Sequence, residues 1–157
     1  MSYPEHEKFS HPGLTQALLN MVEAAMLGSD PNFWYTGVIS AVQSLSAEQA
    51  SKMILPNYSS IADHAYHVCI SLNYMRRTLE GETVKVDWRA TWAQQQVNTE
   101  QWNDLRERLQ VEYDAMTKFI REKSFWLEEG LTQLLDNISH AAYHAGAICQ
   151  LAKGVEQ

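Results

Sequence analysis

Apolar residues recur at intervals of three and four in four long stretches of this chain, and this spacing strongly constrains the fold. Such intervals bring apolar side chains to one face of an α-helix, where neighbouring helices can bury them. The four stretches run from Gly13 to Met26, from Ser60 to Leu79, from Asn98 to Arg121 and from Leu131 to Leu151. No segment is convincing as a β-strand, and no repeat has a solenoid period. The sequence therefore predicts an all-α fold, a four-helix bundle with one long crossover connection.

Polar residues with capping properties predict where several helices begin. Ser46 and Gln49 form a capping-box pattern ahead of a short helical turn. Ser60 is a good N-cap, and Asp63 suits the positive end of the helix that follows. Asn98 is predicted to open the longest helix of the chain.

Glycines and loop-like segments predict the connections. A short helical piece is expected over residues 35–42, and Gly81 is expected to cap the helix before it. Residues 128–130 are expected to form the last connection, and Gly154 is expected to end the final helix. Residues 82–97 lack a helical stripe and are expected to form an ordered loop over the core. Four tryptophans could line a pocket, although packing in the core or crossover is the expected role: Trp88, Trp92, Trp102 and Trp126.

Length and charge limit the classes of function. With 157 residues, the chain is predicted to form a single domain over residues 1–157, with residues 1–10 as a flexible lead-in. A net charge of −7 argues against nucleic acid or an anionic membrane as partner, because phosphate binding needs a basic face. The N-terminus is too polar for a signal peptide, and no apolar run approaches the roughly 20 residues that span a bilayer. Cys69 and Cys149 are interpreted as small buried residues of a cytoplasmic protein.

Six histidines are present, and four of them fall on two predicted helices. His140 and His144 are one helical turn apart, about 6 Å, on nearly the same face. Small residues around them leave room for a neighbouring helix. His64 and His67 both flank the apolar stripe of their helix, so periodicity does not separate them. Two further histidines near the N-terminus are expected to have no role: His6 and His11.

Three neutral imidazoles with one position left open are a common catalytic zinc arrangement, and nickel and iron also accept nitrogen ligands. The paired histidines of the last helix and one histidine of the earlier helix could supply such a set. The alternative is that these histidines are hydrogen-bonded core residues of a bundle that serves as an interaction module.

Three stretches of the chain occur in an informative order. In residues 60–81, His67 precedes Gly81, the glycine that ends the helix. Residues 87–102 contain three tryptophans. Residues 139–148 contain the paired histidines His140 and His144. Together these stretches resemble the DinB-like (DinB/YfiT) superfamily of metal-binding four-helix bundles. The resemblance extends over roughly residues 14–153.

The resemblance implies an up-down bundle with a long second crossover, formation of homodimers, and a divalent ion (zinc, nickel or iron) bound by His67, His140 and His144. It selects His67 as the ligand of the earlier helix, and His64 is then expected to be exposed or to lie in the capping region. The sequence departs from the family in one place. The family often has Gln just past the glycine that follows its last histidine, whereas this chain has Ala147.

Similarity to this family also implies a range of functions. Some members are metal-dependent transferases or isomerases that use a low-molecular-weight thiol, so the chain is expected to be such an enzyme, or a related hydrolase, acting on a small electrophile. The alternative is a non-catalytic protein that binds a metal or small ligand in a stress response. Asp63 and Tyr143 are candidate general bases and Asn137 could line the site, although capping or packing is the expected role of each.

Overall fold

A computed structural model describes residues 8–9, 12–28, 35–54, 58–93 and 96–155 of the chain. Helices dominate these ranges, which confirms the predicted all-α class. The helices are α1 Pro12–Met26, α2 Val38–Val42, α3 Ala47–Ser51, α4 Ile61–Leu79, α5 Thr99–Glu122 and α6 Glu128–Val155. A 3-10 helix spans Ala90–Trp92. Within the described ranges, no helix is both long and apolar enough to cross a membrane.

A short pair of strands was not expected from the sequence. β1 Lys8–Phe9 pairs antiparallel with β2 Trp126–Leu127, the connection between α5 and α6. The chain before α1 crosses this connection, and the backbone N–H and C=O groups of the two segments hydrogen-bond to one another there. The predicted flexible lead-in, residues 1–10, thus includes a paired two-residue strand at Lys8–Phe9, and the rest of it lies outside the described ranges.

The four long helices pack against one another in pairs. α4 lies against α5 and α6, and α1 lies against the same two helices. The predicted apolar faces meet between them and form the core, with one exception: Met21 is 45% exposed. The fully buried members of these faces include Leu18, Val22, Ile61, Ala65, Val68, Leu72, Leu105, Leu109, Met116, Ile120, Leu134, Ala141, Ala145 and Ile148.

The predicted helix starts are confirmed, but the predicted longest helix is wrong. Ser46 caps α3 and Ser60 caps α4, each with a complete capping box, and Asn98 caps α5 in the same way. The longest helix is nevertheless α6, with 28 residues against 24 in α5. α2 is shorter than expected, since it begins only at Val38.

Of three further predicted helix boundaries, one is confirmed and two differ in the structure. Gly81 follows α4 with a φ of 93°, a conformation that suits glycine. Residues 128–130 form the first turn of α6 instead of a connection, because the acidic side chains there favour a helix N-terminus. Gly154 lies inside α6, where a Cβ would stand only 2.6 Å from Cδ1 of Ile54, so this glycine allows close packing.

The crossover between α4 and α5 folds back over α4 and places side chains beside its histidines. Its 3-10 helix packs on α4, and Thr91 within it is buried. Trp92 is half-buried, but Trp88 is 40% exposed, so the expectation that the crossover tryptophans are covered holds for only one of them.

Candidate metal centre

Four histidines on two adjacent helices face one another. His64 and His67 lie on α4, and His140 and His144 lie on α6, which packs directly against α4. His67 and His144 are buried, and the other two are half-buried. Because four residues make about one helical turn, both α6 histidines meet the same face of α4.

The ring nitrogens of His67, His140 and His144 form a compact cluster. They lie within 4.8 Å of one another, and His140 Nε2 lies 2.9 Å from His144 Nε2 and 3.1 Å from His67 Nε2. An imidazole nitrogen makes one in-plane bond, so His140 Nε2 cannot hydrogen-bond both neighbours at once. Zinc–nitrogen bonds of about 2.0–2.1 Å place tetrahedral ligand nitrogens about 3.3 Å apart. The cluster therefore has the spacing of a three-histidine ligand set.

Thr91 fixes the hydrogen position on His67. The Thr91 hydroxyl donates to the carbonyl oxygen of Trp88 at 2.7 Å, so its oxygen is left to accept from His67 Nδ1, also at 2.7 Å. With hydrogen on Nδ1, the lone pair of His67 is on Nε2, which faces the cluster. Hydrogen-bond partners of this kind orient metal-ligating histidines in proteins.

Ser71 and Asn137 have the corresponding role for His140. Ser71 Oγ lies 3.3 Å from His140 Nδ1 and accepts from the side-chain amide of Asn137 at 2.8 Å. A hydroxyl oxygen has two lone pairs and can accept from His140 Nδ1 as well. The lone pair of His140 then lies on Nε2. Asn137 is buried, supports this histidine from behind and does not line the cavity, so its position fits the packing role expected for it.

His64 lies beside His144 and completes the set of partners. The Nδ1 atoms of the two rings are 2.8 Å apart, so one of them carries the shared hydrogen. If His144 directs the lone pair of Nε2 to the cluster, its Nδ1 donates and His64 Nδ1 accepts. His64 is half-buried and lies in the first turn of α4, next to the capping region in which it was one of two expectations to find it, and it is a neighbour of the ligand set.

Trp92 covers the cluster on the side of the crossover. Its ring stacks on His67 with centroids 4.2 Å apart and planes inclined by 29°. The same ring lies 5.4 Å from His64 and 5.5 Å from His144. One indole therefore contacts three of the four imidazoles and limits the access of water from that side.

The surroundings keep the histidines uncharged. The pKa of His67 is lowered to about 4 and that of His144 to about 3, mainly by burial and in addition by the neighbouring imidazoles. Burial also lowers the pKa of His140 and of His64, with Asp63 opposing the effect at His64. Neutral imidazole is the form that binds metal ions, so these shifts favour ligation at neutral pH.

A cavity of about 680 Å³ opens beside the cluster, a size typical of sites for small molecules. The four histidines line part of it. The remaining wall is mostly aromatic and apolar, with two neutral polar side chains, and includes Tyr58, Ser59, Trp92, Tyr143, Gln150 and Leu151.

The two candidate general bases differ in position. Asp63 is 1% exposed, and one of its carboxylate oxygens accepts from the Ser60 backbone N–H at 2.8 Å and the Ser60 hydroxyl at 3.0 Å. It is therefore a helix cap, as expected. Tyr143 lines the cavity and is 71% exposed. Of the four tryptophans considered, Trp92 lines this cavity, and Trp102 donates from its buried indole N–H to the Leu45 carbonyl.

The structure brings together the three histidines that the resemblance implied, His67, His140 and His144. His6 and His11 lie outside the described ranges. Sequence reasoning missed two supporting residues. Ser71 follows His67 by four positions, so its place on the same helix face was available as a signal. Thr91 comes from the crossover, and no local pattern links it to a histidine 24 positions away.

Comparisons with protein-family models, curated proteins and solved structures give no match for this chain.

Proposed function

We propose that this chain is a DinB-like four-helix bundle that binds one divalent ion (zinc, nickel or iron) through His67, His140 and His144. The single observation that supports metal binding best is the spacing of their ring nitrogens, with His140 Nε2 at 2.9 and 3.1 Å from its two neighbours. The partners of the distal nitrogens add support, because each can hold a hydrogen on Nδ1 and leave Nε2 free. The DinB-like assignment is supported by the sequence resemblance alone.

We further propose a metal-dependent transferase that uses a low-molecular-weight thiol and a small electrophile, or a related hydrolase or isomerase. A divalent ion in this site would lower the pKa of a thiol or water molecule and supply a nucleophile at neutral pH. In the transferase reaction, sulfur bonds to the electrophilic carbon, the leaving group departs with its electron pair, and the thiol proton goes to water. The chain contributes oriented imidazoles, the covering ring of Trp92 and the adjoining cavity.

The alternative is a non-catalytic protein that binds a metal or small ligand in a stress response. One observation favours it: among the described residues that line the cavity, none is a carboxylate that could serve as general base. Turnover of a chloronitrobenzene with benzyl mercaptan separates the two proposals, since only the enzyme would release chloride. A cytoplasmic location and a homodimer, as the resemblance implies, complete the proposal.

Elemental analysis of the purified, untagged protein by plasma mass spectrometry tests metal binding. We expect about one equivalent of zinc, nickel or iron per chain and loss of most of it in the His144→Ala variant. His64→Ala is the matched control on the opposite helix and should retain metal when the ion is in excess. A metal-free protein that also fails to take up added divalent ions would overturn the proposal. Circular dichroism of each variant separates lost ligation from lost folding.

A further inference from the structure

We infer that the cavity beside the histidine cluster binds a neutral, planar and largely apolar molecule through one metal-ligating atom, and that it discriminates against molecules that carry a carboxylate. The inference deepens the proposed function and rests on it, because the ligating atom needs an ion at His67, His140 and His144. It concerns the wall of the cavity, which the choice of ion leaves unchanged.

The first argument is the absence of charge. Among the described residues that line the cavity, none is Lys, Arg, Asp or Glu. The nearest lysine along α6, Lys153, lines a neighbouring cavity, which shares Gln150 with the histidine cavity. On the part of a ligand that lies against this wall, away from the ligating atom, a carboxylate would lose water without gaining a partner side chain, which is unfavourable. The net charge of −7 on the chain adds a general field that repels anions.

The second argument is the aromatic wall. Tyr58 and Tyr143 are 62% and 71% exposed, and both line the cavity, so their rings are accessible to a ligand. Trp92 lies deeper and stacks on His67. Aromatic rings gain most from flat apolar partners that stack on them or meet their edges. A planar molecule can therefore contact exposed rings at the mouth and indole farther in.

The third argument is the kind of polar group present. Ser59 and Gln150 are the neutral hydrogen-bonding side chains of the wall outside the histidines and tyrosines. A hydroxyl and a primary amide recognise uncharged groups such as amides, carbonyls or hydroxyls without a charge partner. Together with a volume of about 680 Å³, this composition fits an aromatic molecule of modest size with neutral substituents.

A pair of isosteric thiols tests the inference on the cobalt-loaded protein. The probes are para-carbamoylbenzyl mercaptan and para-carboxybenzyl mercaptan, which differ in charge and share their shape. Binding is followed by the thiolate-to-cobalt charge-transfer absorption, which requires no turnover. We expect the neutral thiol to bind at least about tenfold more tightly than the anionic thiol. β-Mercaptoethanol, which has no ring, should bind more weakly than the neutral aromatic thiol.

Substitutions in the wall provide matched controls. Tyr143→Ala should weaken binding of the neutral aromatic thiol by roughly three- to tenfold and leave binding of β-mercaptoethanol unchanged. Gln150→Lys should improve binding of the carboxylated thiol, whereas Gln150→Glu should weaken it further. These variants leave the three proposed ligands intact, so cobalt content should stay at the wild-type level.

The possible outcomes separate the two proposals. Failure to bind cobalt would overturn the proposed metal function and this inference with it, whereas bound cobalt that shows no absorption band with any thiol would overturn the inference and the proposed thiol-dependent reaction. Cobalt binding with equal or tighter binding of the carboxylated thiol would overturn the inference alone. Preference for the neutral over the carboxylated thiol, together with roughly three- to tenfold weaker binding of the neutral thiol to Tyr143→Ala, would support both.

Discussion

The Nδ1 atoms of His64 and His144 lie 2.8 Å apart, although the two residues are 80 positions apart in the chain. This contact joins α4 to α6 directly behind the histidine cluster. Only one of the two nitrogens carries the shared hydrogen, so each ring determines the tautomer of the other. His64 is thereby able to orient His144 without being a ligand itself.

Replacement of His64 by alanine should weaken metal binding without abolishing it. The variant removes the acceptor for His144 Nδ1, and loss of such a partner typically lowers metal affinity about 10- to 100-fold. His64→Gln should recover part of the affinity, because its side-chain oxygen can accept the same hydrogen bond. Competition with a chromophoric zinc chelator measures the affinity. Wild-type affinity in His64→Ala would show that the contact does not orient His144.

Replacement of Thr91 by valine should also weaken metal binding, because it removes the hydrogen-bond partner that orients His67. Valine keeps the shape of threonine and removes the oxygen that accepts from His67 Nδ1 at 2.7 Å. We expect a loss of about 10- to 100-fold in zinc affinity, and a loss of about 1–3 kcal/mol in the free energy of unfolding because a buried donor stays unpaired. Chelator competition measures the zinc affinity, and urea denaturation measures the free energy of unfolding.

Thr117→Val is the matched control for this prediction. Thr117 is also buried, but its hydroxyl donates to the backbone carbonyl of Asp114 on α5, away from the histidines. The control should change stability and leave zinc affinity unaltered. An equal loss of affinity in both variants would mean that general destabilisation, and not orientation of His67, explains the effect.

The sequence predicts local structure well where the interaction is itself local. The capping boxes at Ser46 and Ser60 involve residues three positions apart, and both are present. One of the boundary errors has a non-local cause. Gly154 is predicted to end the final helix but lies within α6, and its close approach to Ile54 from another part of the chain explains its presence there.

The distinction between local and non-local interactions also applies to the candidate site. The pair His140 and His144 follows from helical spacing alone. Periodicity left His64 and His67 as alternatives, because both flank one stripe, and the resemblance to a family decided between them. Neither periodicity nor the resemblance predicts the role of Thr91, since its place beside His67 depends on how the crossover folds over α4. Long loops carry little periodic signal, so contacts made by them are the hardest to predict.

Removal of the cap that begins α4 should affect the histidine site as well as stability. Ser60→Ala removes the side-chain oxygen that accepts from the Asp63 backbone N–H at 3.1 Å. Loss of an N-cap costs about 0.5–2 kcal/mol, and His64 lies within the first turn that the cap holds. We expect lower stability in urea denaturation and weaker zinc binding in chelator competition.

Ser46→Ala tests whether that effect is specific to α4. Ser46 caps α3 through an equivalent capping box with Gln49, and α3 carries none of the histidines. This variant should lose a comparable amount of stability and keep wild-type zinc affinity. Equal zinc affinity in Ser60→Ala and Ser46→Ala would show that the start of α4 does not control the site.

Acidification should destabilise the metal-free protein, and His144 should account for part of the effect. Its pKa is about 3 in the folded chain, below the ordinary histidine value of 6.5. Between these values the unfolded state binds more protons than the folded state, so stability is full above about pH 6.5 and falls as the pH is lowered. Each such histidine contributes a slope of about 1.4 kcal/mol per pH unit. Urea denaturation of chelator-treated protein between about pH 7.5 and 5 measures this slope.

His144→Gln isolates the contribution of this one residue, because carboxylates and the other histidines titrate in both proteins. The variant should show a smaller loss of unfolding free energy on acidification than the wild type over the same pH range. His67→Gln should behave similarly, since the pKa of His67 is lowered to about 4. Identical pH dependence in the wild type and both variants would contradict the buried, neutral state of these imidazoles on which metal binding at neutral pH depends.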